Sequence, residues 1–325
     1  MKTDIELSVV LPVFNEAENI PLLQEEIVRV LGKEIVFEIL YINDGSTDDS
    51  WKVLREIARR DHRVRLINFR KNFGQSPAIA AGFAYCAGEY VITMDADLQN
   101  DPADIPRILD KLKEGFDIVN GWRKNRQDKL ISKKIPSFFG NKLVSFITKV
   151  KLHDYGCALR GFKKEVVKNL RLYGEMHRYL PAIASRMGIR SIEIPVHHRS
   201  RRYGQSKYGM KRTFRVILDL ISIKYFLSYS HKPLQIFGGI GLGLMGLGFI
   251  AGLYLTYTKF FLQQAIGNRP LLFLTILLIF LGFQIITLGI IAEMLTRIYH
   301  EGLNKAAYSI RETVGFNDEN FNDRP

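Results

Sequence analysis

Two long stretches without a charged residue, near the C-terminal end, constrain this chain more than any other feature. They run from Leu234 to Thr258 and from Pro270 to Ala292, and each is longer than the roughly 20 residues that a helix needs to cross a bilayer. The first is rich in glycine, which is rare in soluble helices but lets membrane helices approach closely. The alternative is a buried helical hairpin of a soluble protein. We predict two transmembrane helices, within residues 233–295.

Charge predicts how these helices are oriented and what the chain binds. The segment from Arg190 to Lys232 is rich in Lys and Arg and contains only two acids, whereas the loop between the two stretches carries only Lys259 and Arg269. Because basic flanks stay in the cytoplasm, we expect the N-terminal region and both termini there, with the protein in the inner (plasma) membrane. The formal net charge of +13 also predicts an anionic partner, such as a nucleotide, a lipid headgroup or a nucleic acid.

Short apolar runs alternate with helical patterns over the N-terminal part of the chain. Five of these runs have the length and β-rich composition of buried strands, at about 6–13, 37–42, 64–68, 91–94 and 117–120. The alternation predicts an α/β fold with a mostly parallel sheet that has helices on both faces. The first strand is not followed by Gly-x-Gly-x-x-Gly, and the chain has no P-loop sequence, so neither a dinucleotide site nor a P-loop site is supported.

Polar, turn-forming clusters follow three of these predicted strands. Asn15 and Glu16 follow the first, Asp44 follows the second, and Asp95 and Asp97 follow the fourth. In an open α/β sheet, the carboxyl ends of parallel strands meet at one edge, where ligands bind. Asp95 and Asp97 offer two hard oxygen ligands on one side, which suits Mg²⁺ or Mn²⁺ holding a diphosphate. Asp44 either accepts from a base or ribose hydroxyl or holds a helix cap or turn.

A basic segment with interleaved apolar residues follows the fifth predicted strand. From Arg123 to Lys151 the chain has nine Lys or Arg and one acid. Residues 133–149 have the pattern of an amphipathic helix with a basic face, and residues 211–230 have a second apolar helical face. Such a segment either covers the core with a solvated face or holds an anionic lipid at the membrane interface. The two predicted membrane helices favour lipid over nucleic acid.

Three motifs stand in the order and spacing of a known family. They are VVLPVFNE at 9–16, NDGSTD at 43–48 and MDADLQ at 94–99. Together they resemble the inverting glycosyltransferases of family 2, and among them the polyprenyl-phosphate glycosyltransferases, above all the bacterial undecaprenyl-phosphate glucosyltransferases. The resemblance covers nearly the whole chain. It implies a Rossmann-like GT-A catalytic domain at 1–210, an interfacial helix at 211–232, the membrane helices and a cytoplasmic tail at 296–325.

The resemblance also implies roles for the residues that match the family's motifs. The catalytic residues are Asp97, Asp154 and Arg123, the donor-binding residues are Pro12, Asn15, Glu16, Asp44, Asp95 and Gln99, and the acceptor-phosphate residues are Lys133, Ser137, Arg201, Ser206 and Lys207. Asp95 and Asp97 hold Mg²⁺ or Mn²⁺, and Arg123 assists the diphosphate. Asp154 is either a base or an orienting group. We favour orientation, because a phosphate nucleophile scarcely needs deprotonation.

The expected reaction is inverting transfer of glucose from UDP-glucose to undecaprenyl phosphate at the cytoplasmic membrane face. Mannose from GDP-mannose is the alternative, amino-arabinose donors stay open, and the family suggests a homo-tetramer. A processive polysaccharide synthase is disfavoured, since neither Trp51 nor Trp122 follows an arginine as that class requires. A membrane scaffold that only binds anionic lipid is a rival from another class. Such a scaffold would have no need for three acids at strand ends.

Overall fold

The chain divides into two compact units, each of which we describe by itself. The structure is a computed structural model that describes residues 5–32, 34–124, 145, 150, 152–170, 180–184, 188–200, 233–302 and 307–316. The units are Met1–Leu220 with Lys305–Pro325, and Ile221–Asn304. The predicted amphipathic helices lie outside the described residues, apart from Ser145 within the first of them. So do the predicted acceptor-phosphate residues Lys133, Ser137, Arg201, Ser206 and Lys207.

The first unit is built on a mixed sheet of eight strands. They are β1 (Leu7–Val13), β2 (Phe37–Asn43), β3 (Val64–Phe69), β4 (Tyr90–Thr93), β5 (Ile118–Trp122), β6 (Arg160–Lys163), β7 (Ser191–Pro195) and β8 (Ile310–Val314). Their order is β7-β5-β6-β4-β1-β2-β3-β8. Strands β1 to β4 pair in parallel, as do β5 and β7, whereas β6 and β8 run antiparallel to their neighbours. The predicted α/β fold with a mostly parallel sheet is confirmed.

Helices cover both faces of this sheet. They are α1 (Ile20–Leu31), α2 (Ser50–Arg60), α3 (Gln75–Tyr85), α4 (Ile105–Lys113), α5 (Lys164–Asn169) and α6 (Leu180–Ala184). Helices α1, α2 and α4 share a core with Val9 and Leu11, while α3, α5 and α6 share a second core with Val10 and Leu40. Successive residues of a strand point to opposite faces of the sheet. Because helices cover both faces, the side chains on both faces are buried. This is why β1 to β4 consist mainly of apolar residues.

Five of the strands lie where the sequence predicts them, within two residues at each end. Strands β6, β7 and β8 are not predicted, and their sequences explain why. β6 reads Arg-Gly-Phe-Lys, and β8 reads Ile-Arg-Glu-Thr-Val, so neither contains a run of apolar residues. β7 and β8 lie at the two edges of the sheet, where charged side chains are common.

The second unit is a hairpin of two long helices, α7 (Pro233–Phe260) and α8 (Pro270–Gly302). They contain two candidate membrane spans, Leu234–Phe260 with a mean hydropathy of 2.0 and Pro270–Leu295 with a mean hydropathy of 2.6. Only 11% of either span is buried inside the protein, which leaves apolar surface for lipid. A Cβ atom added at Gly241 would lie 2.6 Å from the carbonyl oxygen of Gly282. Glycine therefore allows the close helix approach that the sequence predicts.

We expect Gly45→Ala to destabilise the first unit more than the matched change Gly188→Ala. The φ angles are +65° and +70°, so an alanine is strained at both positions. Only at Gly45 does the new methyl group also meet backbone, at Lys71 and at the nitrogen of Asn72, 2.5 Å away. Chemical unfolding of the full chain in detergent should show losses of about 3 kcal/mol and about 1 kcal/mol respectively. Equal losses would contradict the close packing of these loops.

Candidate active site

The candidate site lies where the parallel strands of the first unit end. Val13 at the end of β1 pairs with Asn43 at the end of β2, and Val10 pairs with Thr93 at the end of β4. The loops after the three strands therefore leave the sheet at one edge, as the sequence predicts. In open α/β sheets this edge is where ligands bind.

Asn15 joins the loops that follow β1 and β2. It lies in the left-handed region, with a φ of +57°, which asparagine tolerates better than most residues. Its backbone N–H donates to Ser46 Oγ (3.0 Å), and its Oδ1 accepts from the backbone N–H of Thr47 (2.8 Å). Glu16 adds a third link, from its N–H to Ser50 Oγ (2.9 Å). Both predicted donor-binding residues thus fix the shape of these loops.

The Asp44 carboxylate holds the loop between β3 and α3. Its Oδ1 accepts a hydrogen bond from the backbone N–H of Phe73 (2.7 Å), and its Oδ2 accepts one from the N–H of Gly74 (2.9 Å). Burial raises the pKa of Asp44, and these two hydrogen bonds oppose that rise. The sequence leaves two roles open for Asp44, nucleotide binding and holding a turn, and these hydrogen bonds show that it holds a turn. Nucleotide binding by Asp44 stays a prediction.

Asp95 and Asp97 share the loop that follows β4. Asp95 is half-buried, and its Oδ1 accepts from Gln75 Nε2 (2.6 Å) at the start of α3. Asp97 is buried, and its Oδ1 accepts from the backbone N–H of Gln99 (3.2 Å). Leu98 follows in the left-handed region, with a φ of +60°, although its side chain is buried. Such a conformation costs about 1–3 kcal/mol, so the packing around this loop must hold it in place.

Two residues predicted to be catalytic, Arg123 and Asp154, pair with each other. Arg123 donates from Nε to Asp154 Oδ2 (2.6 Å) and from Nη2 to Asp154 Oδ1 (2.9 Å). Their side chains are only 13% and 6% exposed. Burial alone would lower the pKa of Arg123, but the hydrogen bonds and the charge of Asp154 raise it overall. Arg123 is therefore a permanent cation that fixes both oxygens of Asp154.

Glu193, on β7, fixes the turn that carries Asp154. Its carboxylate accepts from the backbone N–H groups of His153 (3.0 Å) and Asp154 (3.0 Å), and it contacts His153 Nδ1 at 2.7 Å. The His153 ring stacks on Trp122, with 4.4 Å between ring centroids. Sequence analysis missed Glu193. The only signal is its position between two isoleucines in a short strand, where an acid needs a partner.

Arg160 is a buried cation that sequence analysis also missed. It begins β6, where it pairs with Thr93 at the end of β4. Its side chain is 3% exposed and donates from Nη2 to the carbonyl oxygen of Tyr155 (2.6 Å). Burial lowers the pKa of Arg160, whereas the charges of Asp154 and Asp95 raise it. The only sequence signal for Arg160 is its position directly after the apolar residues 157–159.

The other predicted donor-binding residues occupy the same edge. Pro12 is half-buried near the end of β1. The Glu16 side chain accepts from Asn19 Nδ2 (2.6 Å). The carbonyl oxygen of Gln99 accepts from the backbone N–H of Arg199 (2.8 Å), which ties the segment after β7 to the loop of Asp95. The structure therefore gathers every described residue of the predicted donor side at the ends of β1, β2 and β4.

The loop after β4 suits a divalent cation. It offers two carboxylates, and hard oxygen donors are what Mg²⁺ and Mn²⁺ prefer. Within the described part of the chain, no group of three or more His, Cys, Asp or Glu side chains is arranged to hold a metal. A cation on Asp95 and Asp97 would thus complete its shell with phosphate oxygens and water, as Mg²⁺ commonly does. The donor set fits the predicted metal.

Comparison with known proteins identifies the family to which this chain belongs. Residues 8–171 match the sequence family described as glycosyl transferase family 2. The fold is similar to a crystal structure of glucosyl-3-phosphoglycerate synthase from Mycobacterium tuberculosis in complex with Mn²⁺, UDP and glucosyl-3-phosphoglycerate. That likeness has a TM-score of 0.55 and 17% identity, and covers 70% of this chain and 81% of the other. The chain belongs to glycosyltransferase family 2.

Relatives that align with nearly the whole chain indicate a group within glycosyltransferase family 2. The chain is 41% identical to a dodecaprenyl-phosphate galacturonate synthase from Rhizobium johnstonii, over 95% of this chain and 93% of the relative. It is 34% identical to an undecaprenyl-phosphate 4-deoxy-4-formamido-L-arabinose transferase from Klebsiella pneumoniae, with the same coverage of 95% and 93%. Both relatives are polyprenyl-phosphate sugar transferases, as the sequence motifs imply. Neither is named for glucose.

We expect Asp154→Asn to slow sugar transfer about 100-fold at every pH between 6 and 9. An asparagine has only one side-chain oxygen, so it cannot accept both hydrogen bonds from the Arg123 guanidinium. Arg123 then loses the charge of its buried partner, and we expect the turn at 153–156 to shift. The matched control is Asp61→Asn, because Asp61 also makes a two-pronged pair, with Arg63, but on the loop between α2 and β3. The pH profile of kcat/KM for both variants is the measurement. Recovery of Asp154→Asn at high pH would instead identify Asp154 as a base.

Proposed function

We propose that this protein transfers a sugar from a UDP-linked donor to polyprenyl phosphate, at the cytoplasmic face of the membrane and with inversion. The observation that carries the proposal is the position of Asp95 and Asp97 at the end of β4, beside the loops after β1 and β2. That position is where an α/β sheet binds a nucleotide, and the two acids suit a cation on its diphosphate. The names of the full-length relatives support the lipid phosphate as acceptor.

The donor half of the reaction needs negative charge to be stabilised on the departing nucleoside diphosphate. Mg²⁺ or Mn²⁺ held by Asp95 and Asp97 supplies a Lewis acid for this purpose when bound. Gln75 orients Asp95 through its side-chain amide, and the Gln99 N–H orients Asp97. Mn²⁺ and UDP in the structural neighbour from Mycobacterium tuberculosis support this choice of metal and nucleotide.

The acceptor half needs positioning more than proton removal. A phosphate monoester is anionic at neutral pH, so its oxygen attacks the anomeric carbon without a strong base. The new bond to carbon forms as the bond to the diphosphate oxygen breaks on the opposite face, which inverts the centre. Asp154 is held by Arg123 through two hydrogen bonds, which supports an orienting role. Lys133, Ser137, Arg201, Ser206 and Lys207 remain our proposed contacts to the acceptor phosphate.

The relatives guide the choice of sugar. The sequence resemblance implies glucose, with mannose as the alternative, whereas the two full-length relatives are named for galacturonate and 4-deoxy-4-formamido-L-arabinose. We propose galacturonate first, because the galacturonate relative is 41% identical to this chain over the aligned residues, whereas the other relative is 34% identical. Glucose is the second donor to test. A scaffold that only binds lipid is disfavoured, since it would not need the loops of Asp44 and Asp95.

We expect the purified full chain to transfer sugar to undecaprenyl phosphate when UDP-galacturonate and Mn²⁺ are supplied. A donor panel with UDP-glucose, GDP-mannose and a UDP-linked amino-arabinose tests the sugar by mass spectrometry of the lipid product. Asp97→Ala should abolish transfer while the protein still folds and inserts, because one of two metal-binding carboxylates is lost. Asp110→Ala, an exposed acid on α4, should retain full activity.

The controls separate the parts of this proposal. Transfer by Asp97→Ala in the presence of a chelator would rule out the metal role. Transfer of glucose but not galacturonate would correct the sugar and leave the reaction class intact. A chain that neither binds UDP-sugars nor transfers any of them would favour the scaffold.

The path of the chain supports the proposed orientation in the membrane. Strand β8 follows the helical hairpin, yet it hydrogen-bonds to β3 of the N-terminal sheet. This pairing supports a topology in which two crossings return the chain to its starting side, so that residues on both sides of the hairpin share one side of the bilayer. The basic flank before α7 favours the cytoplasm as that side. Assembly into a homo-tetramer stays a prediction.

We expect a cysteine in the loop between α7 and α8 to be accessible only from outside the cell. Asn268→Cys should react with a membrane-impermeant maleimide in intact cells, whereas Arg311→Cys should react only after permeabilisation. Both positions are exposed, and the native Cys86 and Cys157 are buried, so the unmodified chain gives the background. Labelling of Arg311→Cys in intact cells would contradict the proposed topology.

A further inference from the structure

The segment after the membrane hairpin joins the catalytic sheet next to its active-site edge. Residues 307–316, which we call the tail segment, contain β8. This strand pairs antiparallel with β3, from Leu66 opposite Val314 to Phe69 opposite Ile310. The pairing continues beyond the strand, because the backbone N–H of Arg70 donates to the carbonyl oxygen of Ser309 (3.0 Å). The start of the tail segment therefore lies at the end of β3, where the loop toward α3 begins.

Aromatic rings extend this contact toward the site. Tyr308 stacks on Phe69, with ring centroids 5.0 Å apart and planes inclined by 13°. Phe69 in turn meets Phe73 edge to face, at 5.7 Å and 88°. Phe69 is fully buried, while Tyr308 and Phe73 pack against the same core. Aromatic pairs of this geometry stabilise a structure beyond the area that they bury.

The last ring belongs to the loop that supports the donor side. The backbone N–H of Phe73 and that of Gly74 both donate to Asp44. Gly74 has a φ of +100° and leads directly into α3, whose first residue, Gln75, donates to Asp95 (2.6 Å). A displacement of the Phe73 ring would therefore disturb hydrogen bonds to two acids of the predicted donor side.

We propose that the tail segment braces the donor side of the active site, with Tyr308 as its positioning residue. Through Phe69 and Phe73, Tyr308 holds the loop at 72–75 in the position from which it bonds to Asp44 and Asp95. The identity of the bound nucleotide rests on the proposed function, but the brace itself does not. The chain segment that follows the membrane helices then helps to position the nucleotide site.

Covering the edge of the sheet is a simpler role for β8, and the tail segment itself provides the control. Phe316, at its other end, meets Tyr85 edge to face at 5.6 Å and lies over the guanidinium of Arg65. Phe316 follows Val314, which pairs with Leu66 near the start of β3, away from the ends of the parallel strands. If β8 only covers the edge of the sheet, substitution of Tyr308 and of Phe316 should affect nucleotide binding equally. If the tail segment is a brace, only substitution of Tyr308 should weaken nucleotide binding.

The first test is UDP binding to the full chain in detergent with Mn²⁺, measured by calorimetry. We expect Tyr308→Ala to raise the Kd for UDP about five- to tenfold, and Phe316→Ala and Tyr308→Phe to change it by less than about twofold. The KM for the lipid acceptor should stay unchanged in all three. Equal effects of Tyr308→Ala and Phe316→Ala, or no effect of either, would overturn the brace.

A second measurement tests the brace without any nucleotide and includes another variant in case Tyr308→Ala does not fold. Amide hydrogen exchange without any ligand should be at least fivefold faster at Phe73 and Gly74 in Tyr308→Ala than in Phe316→Ala. If Tyr308→Ala does not fold, Phe73→Leu keeps the apolar volume but loses the ring contact, and it should speed exchange at the same amides. Unchanged exchange would overturn the brace even if UDP binds. Faster exchange in a chain that does not bind UDP would refute the proposed function only.

Discussion

The parallel pairing of β1 with both β2 and β4 is the constraint on which the rest of the site depends. It brings the loops after all three strands to one edge of the sheet. Because helices cover both faces, the strands themselves are mainly apolar, and the acids of the candidate site lie in the loops that follow them. Acids from distant parts of the chain meet there, and each one needs a partner to remain in a partly buried position.

The partners of these acids explain how the edge is organised. Asp44 accepts from backbone amides and Asp154 from a guanidinium, so both hold protein groups in place. Asp95 accepts from the side-chain amide of Gln75 and Asp97 from the backbone N–H of Gln99, and these hydrogen bonds help to orient the two carboxylates. Asp44 and Asp154 thus hold loops of the site in place, and the pair after β4 is our proposed site for a cation on the donor diphosphate.

The sequence predicts most of the fold and the meeting of three polar loops at one edge of the sheet, but not the contacts between these loops. The apolar runs of β1 to β5 report burial on both faces, so their positions follow from local composition. The pairing of Arg123 with Asp154 joins residues 31 positions apart, and no local pattern encodes it. Arg160 and Glu193 lie in short strands, and their hydrogen-bond partners lie in the segment at 153–155. Strand β8 is charged and lies at an edge, so only its pairing with β3 identifies it.

The central claim is that Asp95 and Asp97 hold a divalent cation together with the donor diphosphate. Electron paramagnetic resonance of Mn²⁺ tests this most directly, because free Mn²⁺ gives a six-line signal that weakens when the ion is bound. Since the loop supplies only two carboxylates, the signal should fall further when the full chain and UDP are added together than the sum of the falls with the chain alone and with UDP alone. A fall no larger than that sum would contradict the claim.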